Sequence, residues 1–309
     1  MRVLVTGGAG YLGSTLVPVL LSRGHRVLVL DSLLFGAKGL LSVLPHPHLE
    51  LLEADVRDES VVRGAVSGAD AVVNLAAIVG YPACLRSPSD AEAVNVGAAR
   101  CIASCVSSGQ ILVQASTGSI YGKVSGPCTE ETPTSPRTHY AKTKAEAEKI
   151  MLGSGGASLR FATLFGVSPR MRLDLLVNNL AFQAVHAGSV TIFQPSAVRT
   201  FLHVSDAARA VIMAIDRFEI MSGRVCNIGD DDLNHTKLEV AEEIRRQRNF
   251  RLRIDDSRTD PDERDYRVSY RCARELGLTA KVTLTQGVEE VLRAASFMQK
   301  SDTHRIEGA

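Results

Sequence analysis

Residues 6–14 read TGGAGYLGS: Gly7, Gly10 and Gly13, three apart, stand between the apolar run RVLVT and an amphipathic stretch at 12–23. A strand that runs through such a spacing into a helix makes a turn with open backbone, because glycine has no Cβ. The free N–H groups and positive dipole at the helix start then favour an anion. The same alternation continues along the chain. Apolar runs occur at 25–31, 48–55, 69–77, 110–117 and 157–166, with amphipathic stretches at 58–67, 90–108 and 140–152. Continuous Val/Leu runs separated by helical patterns describe strands buried on both faces, so an α/β fold with a doubly wound parallel sheet is expected. After about residue 166 the pattern loosens into a helix at 172–187, a strand at 190–193, a strand and helix at 199–215, and an arginine-rich stretch at 245–275. These predict a smaller C-terminal α/β lobe built from 166–193 and 231–300. The first domain would cover 1–165, with about 194–230 returning to it, and 301–309 would be a frayed tail.

Composition narrows the possible functions. The 309 residues carry a formal net charge of +1 with no basic stripe, which argues against a nucleic-acid polymer as partner. The six cysteines lack C-x-x-C spacing and the eight histidines form no cluster, so buried thiols in a reducing, cytoplasmic setting are expected, and no metal site. No apolar run reaches membrane-spanning length.

Asp31 closes the second apolar run. A carboxylate there accepts hydrogen bonds from both hydroxyls of a nucleotide ribose and repels a 2′-phosphate, so the expected cofactor is NAD rather than NADP. Asp55, in EADVRD, stands where a side chain meets the adenine edge or simply caps a turn. The small residues of NLAA (74–77) suit the close passage of a cofactor backbone.

HYAKTKAEAEKI (139–150) reads as a charged surface helix that sets Tyr140 and Lys144 four residues apart on one face. A lysine beneath a phenol lowers its pKa, which is what a general base for a substrate alcohol needs. Together with TGGAGYLGS, ADVRD, NLAA, VNVGAAR (94–100), STGSIYG (116–122) and VRTFLHVSDAARA (198–210), this segment resembles the extended short-chain dehydrogenase/reductases of the NAD-dependent epimerase/dehydratase type. The resemblance covers most of residues 1–215 and implies a Rossmann-type fold. It implies an NAD site formed by Gly7, Gly10, Tyr11, Leu12, Gly13, Asp31, Asp55, Val56, Leu75, Ala76, Ala77, Asn95, Tyr140 and Lys144. Tyr140, Lys144 and Thr117 would be catalytic, with Thr117 five residues ahead of Gly122.

Similar dehydratases place Asp–Glu after the threonine, similar decarboxylases a Glu, and similar 3,5-epimerases a Cys. Here Gly118 and Ser119 stand there, neither of them an acid or base at neutral pH. The expected reaction is therefore reversible oxidation at one carbinol: epimerisation of a nucleotide-diphosphate sugar at C4. The alternatives are an NAD(P)H-dependent reductase of a keto sugar or other carbonyl, and a non-catalytic NAD-binding regulator. For the substrate, the resemblance points to Thr117, Gly118, Ser119, Tyr140, Asn178, Asn179 and Arg199, with Arg258 or Arg264 as a second phosphate clamp. Thr163 replaces the asparagine usual in the family. A homodimer through the helices at 90–108 and 140–152 is also implied.

Overall fold

The computed structural model describes residues 1–124, 126–255, 257 and 266–299. Its first half alternates β1 (Arg2–Thr6), α1 (Gly13–Ser22), β2 (Arg26–Asp31), β3 (Leu49–Glu53), α2 (Glu59–Ser67) and β4 (Ala71–Asn74). Then follow α3 (Tyr81–Arg86), α4 (Pro88–Glu92), a π-helical turn (Ala93–Gly97), α5 (Ala98–Cys105), β5 (Ile111–Thr117), α6 (His139–Gly153), β6 (Ala157–Phe161) and β7 (Thr163–Phe165). The second half comprises α7 (Leu176–His186), β8 (Ser189–Ile192), β9 (Val198–His203), α8 (Val204–Asp216), α9 (Phe218–Met221) and β10 (Val225–Ile228). Last come β11 (Asn234–Thr236), α10 (Lys237–Gln247), β12 (Arg251–Ile254), α11 (Arg271–Glu275) and α12 (Leu284–Ala295).

Seven parallel strands form one sheet in the order β3-β2-β1-β4-β5-β6-β10. Val5 pairs with Val29 and Val73, and Val73 with Val113, so β-branched side chains meet across its centre. One face is covered by Leu16 and Leu20 of α1 with Val211 and Ile215 of α8. On the other face lie Val62 of α2, Ile102 of α5 and Met151 of α6. The doubly wound α/β expectation therefore holds. Chain direction across the sheet reverses between β1 and β4, which opens a crevice at the strands' carboxyl ends.

The run 157–166, read as one strand, divides at Ala162. Its amide donates to Ile228 O (2.8 Å) and closes the large sheet, after which β7 leaves to pair with β9. β9 in turn pairs with β11, while β8 pairs with β12. A separate apolar cluster, including Val177, Leu180, Val240, Ile244, Val288 and Val291, fills the space among α7, α10 and α12. The helix expected at 172–187 begins four residues later, at Leu176, because residues 166–175 form an irregular segment seated on the start of α1. The tail 301–309 lies outside the described residues.

Candidate active site

Gly7, at the end of β1, has φ 68°, and a Cβ there would stand 2.7 Å from the Ala76 nitrogen. A Cβ on Gly13 would meet the Gly7 carbonyl at 2.5 Å. The two glycines thus bring the turn against Leu75–Ala77 after β4 and against the first turn of α1. No side chain caps α1 and no acid lies in its first turn, so no carboxylate of its own offsets the positive end of the helix dipole. Asp31 closes the side: Oδ2 accepts from Ala9 N (3.0 Å) and Oδ1 from Leu33 N (2.9 Å). A carboxylate accepts about four hydrogen bonds, which leaves room for a ribose diol. This cradle fits NAD.

Asp55 lies two residues beyond β3, and Arg57 holds it through its amide (2.8 Å) and guanidinium (2.7 Å). That hydrogen bonding holds the Asp55 carboxyl below its usual range. Val56 beside it is buried. Asn95, in the π-helical turn, binds the backbone of Ile78 at both its N–H (2.8 Å) and its carbonyl (3.0 Å), and donates to Thr143 Oγ1 (2.9 Å). Its amide shapes the loop after β4 and ties it to α6.

Thr117 ends β5 and Tyr140 opens α6, which Thr138 caps by accepting from Ala141 N at 3.1 Å. Strand alternation turns Ser116 to the opposite face from Thr117, and its Oγ is buried with no partner among the described residues. The Thr117 hydroxyl donates to Ser119 Oγ (3.1 Å) and accepts from Ser119 N (3.2 Å). Tyr266 Oη donates to the Gly118 carbonyl.

The reading of α6 as a surface helix is corrected. Lys144 is 4% exposed and Glu148, one turn on, is 5% exposed. Glu148 is matched by buried Arg160 at 2.7 Å, which removes the cost of an unpaired carboxylate. Burial pushes the Lys144 ammonium down to about 8, against the attraction of Glu148. Tyr140, half-buried, lies within electrostatic range of Arg172.

On the lobe side, Tyr11 Oη donates to Gly166 O (2.6 Å), and its phenol packs away from the glycine turn. Asn178 is fully buried. Its Oδ1 accepts from Gly166 N (3.0 Å), while Nδ2 donates to Tyr11 Oη (3.2 Å) and Arg172 O (2.9 Å). Asn179 donates to Leu173 O (2.7 Å) and accepts from Gln183. The pair expected to meet the sugar thus also holds residues 166–173 in place. Arg199 is buried in β9 and donates to the Val198 carbonyl at 3.2 Å. Arg258 and Arg264 lie outside the described residues.

Two arginines that the sequence reading passed over stand in this segment. Arg170 is buried, with Nε and Nη2 unpartnered among the described residues and its guanidinium 4.0 Å from the centre of the Phe35 ring. Burial pushes it down to about 10, with Arg172 adding repulsion and Asp174 and Asp31 opposing. Arg172 pairs with Asp174, Nε to Oδ1 at 3.0 Å, and lies beside Tyr140 and Tyr11. Their signal was the Arg-x-Arg spacing just past Gly166.

The glycine turn, the strand-order reversal and Asp31 together make a dinucleotide crevice at the carboxyl ends of the strands. The NAD dependent epimerase/dehydratase family model matches residues 3–229, and the chain belongs to that family. It is 29% identical over 255 residues to the low-salt glycan biosynthesis protein Agl12 of Haloferax volcanii, covering 79% of this chain and 81% of that protein. It is 28% identical over 256 residues to the UDP-glucose 4-epimerase of Corynebacterium glutamicum, covering 75% and 76%. Among solved structures, the UDP-glucose 4-epimerase of Thermus thermophilus in complex with NAD superposes with a TM-score of 0.85 at 26% identity, over 96% of this chain and 99% of that one. NAD is the cofactor of the family. Relatives at similar identity also include sugar-nucleotide decarboxylases and dehydratases. Among the described residues no helix is long and apolar enough to cross a membrane.

Proposed function

We propose that this enzyme is an NAD-dependent 4-epimerase of a nucleotide-diphosphate hexose. The observation that carries the reading is the composition of the turn after Thr117. Gly118 offers only backbone, with its carbonyl taken by Tyr266, and the Ser119 hydroxyl is bound to Thr117. No carboxylate follows Thr117 to expel a hydroxyl or to act on a second carbon.

NAD held by the glycine turn and Asp31 would supply reversible hydride acceptance from the substrate carbinol. Tyr140 takes the hydroxyl proton as the hydride leaves and returns it when the opposite face is reduced. Thr117 Oγ1, turned from Ser119, holds the substrate oxygen. Lys144 favours the phenolate form of Tyr140, and a phenolate beside it restores the charge that burial disfavours. Arg199 is proposed to meet the diphosphate, with Arg258 or Arg264 as its partner.

The test is incubation with nucleotide sugars and no added reduced cofactor. Product differing only in stereochemistry, with no net absorbance change at the nicotinamide band, supports the epimerase. Conversion only with stoichiometric loss of NADH or NADPH would establish the ketoreductase instead. We further propose a homodimer through α5 and α6, and a cytoplasmic setting in keeping with the free thiols.

A further inference from the structure

Three side chains outside the crevice converge from distant parts of the sequence. The carboxylate of Glu130 and the sulfurs of Cys226 and Cys272 lie within 4.8 Å of one another. Glu130 precedes α6, Cys226 is in β10 and Cys272 is in α11. Cys226 is buried, while the other two are half-buried and so reachable from solvent.

Each segment is fixed by bonds that do not involve these three donor groups as a cluster. Cys128 and Val268 form an isolated bridge, with Cys128 N donating to Arg267 O (2.8 Å) and Ser269 N to Cys128 O (2.8 Å). That bridge brings the segment carrying Cys272 beside the one carrying Glu130. Glu130 Oε1 accepts from Asn227 N at 2.7 Å, which ties the carboxylate to β10. The Asn227 side chain accepts from Tyr121 Oη (2.7 Å) and donates to Ser269 O (3.3 Å). The Glu130 carbonyl also receives Arg160 Nη1 at 3.3 Å. The Cys226 thiol donates to the Asn227 carbonyl at 3.7 Å, a weak bond for a soft donor, and its sulfur lies within 4.8 Å of that of Cys272.

We propose that Glu130, Cys226 and Cys272 form a binding site for a borderline-soft divalent cation of the zinc class. Donor atoms around a tetrahedral zinc stand about 3.5–3.8 Å apart, given metal–ligand lengths of about 2.3 Å to sulfur and 2.0–2.2 Å to oxygen, so the cluster closes onto an ion with small side-chain shifts. Two thiolates and one carboxylate bring three negative charges to a divalent ion, and the sulfur donors select against magnesium and calcium, which take oxygen donors. The Asn227 amide on Glu130 is the outer support such carboxylate ligands carry. The fourth position is left to water. Binding releases the two thiol protons to solvent. Because β10 is the edge of the seven-stranded sheet, the ion would cross-link that edge to α11 and to the loop before α6.

The experiment uses the full chain, reduced with a phosphine, stripped by a chelator and titrated anaerobically with Co²⁺. The expected result is a sulfur-to-cobalt charge-transfer band that saturates at one ion per chain and is bleached by Zn²⁺. Cys272→Ser should abolish most of the band, and Glu130→Gln should keep it while weakening affinity at least ~10-fold. Cys105→Ser disrupts the other neighbouring thiol pair, Cys101 and Cys105 on α5, and should leave the band unchanged. Absence of the band, or its loss in Cys105→Ser but not in Cys272→Ser, overturns the proposal. So does an intact mass two hydrogens short with the Cys226 and Cys272 peptides joined, which would make the pair a disulfide. Circular dichroism of each variant checks that it folds, and Glu130→Gln stands as the test should Cys272→Ser not.

Discussion

In the proposed reaction Tyr140 and Lys144 would divide one task by their degree of burial: the phenol is half-buried and the lysine, one helical turn on, is buried. A free phenol has a pKa of about 10, and bringing it to neutrality takes roughly 4 kcal/mol of selective phenolate stabilisation. A lysine out of water supplies more of this than an exposed one, because its field is not screened. Tyr140→Phe should lower kcat at least ~100-fold while NAD still binds, as checked by steady-state kinetics and cofactor titration. Turnover within a few-fold of wild type would remove Tyr140 as the base. Lys144 bears a cost for its position. Its folded pKa, about 8, is below the ordinary 10.5, so between those values the unfolded chain holds more protons and stability rises with pH. Below that window the enclosed charge opposes folding by on the order of 3 kcal/mol. Lys144→Met should therefore melt above wild type at neutral pH, with the gap closing as pH rises from about 8 towards 10.5. A variant that melts below wild type at neutral pH would show that attraction to Glu148 outweighs burial. Asp31→Ser should weaken NAD and improve NADP relative to it, since the charge opposing a 2′-phosphate is gone. Parallel titrations of both cofactors decide this, and a wild type that already prefers NADP would contradict the reading of Asp31.

At the level of elements, the centre of the sheet is locked by a buried polar row. Thr6 Oγ1 on β1 donates to Asn74 Oδ1 on β4 (2.6 Å), Asn74 Nδ2 to Gln114 Oε1 on β5 (2.8 Å), and Gln114 to its neighbouring carbonyl. Apolar packing alone tolerates a register slip in a strand buried on both faces, whereas this row accepts one register. The row lies just before the turns that carry Gly7, Ala76 and Thr117, so a slip would misplace cofactor and catalytic groups together. Asn74→Val should destabilise the chain by roughly 1–3 kcal/mol for each group left unsatisfied, measured by denaturant titration. An unchanged midpoint would mean that water replaces the lost amide. The first five strands and the helices α1, α2 and α6 were legible in the sequence to within a few residues, whereas α3 and the division of 157–166 into two strands were not. The helix start at Leu176 was not, because Asn178 and Ser168 take their partners from Tyr11 and Ser14, far away in sequence.

At the level of the whole molecule, residues 166–174 join the two cores. They leave the sheet after β7, seat Ser168 and Arg170 on the start of α1, and present Arg172 towards Tyr140. Cofactor turn and lobe are therefore mechanically continuous. The proposed dimer adds α5 and α6, which lie side by side on one face of the sheet. Pairing them with a second copy would brace the helix that carries Tyr140. Light scattering at micromolar concentration should give twice the chain mass, and a strictly monomeric mass would remove the claim.

The sequence alone settled whatever depends on neighbours along the chain. A strand, three glycines and a helix start define an anion-binding turn. A carboxylate stands at the next strand end, where a ribose is expected, and four-residue spacing puts Tyr140 and Lys144 on one face. These features arise from backbone geometry, which acts over a few residues. The tertiary structure decided what required distant groups to meet. It buried Lys144 and Glu148 by supplying Arg160, and it engaged Asn95, Asn178 and Asn179 in holding loops. It also seated Arg170 against Phe35, set Arg172 within electrostatic range of Tyr140, and gathered Glu130, Cys226 and Cys272 from positions 130, 226 and 272. The spacing of those cysteines gave no sign of a cluster, because a side chain's partners are set by packing and not by its place in the chain.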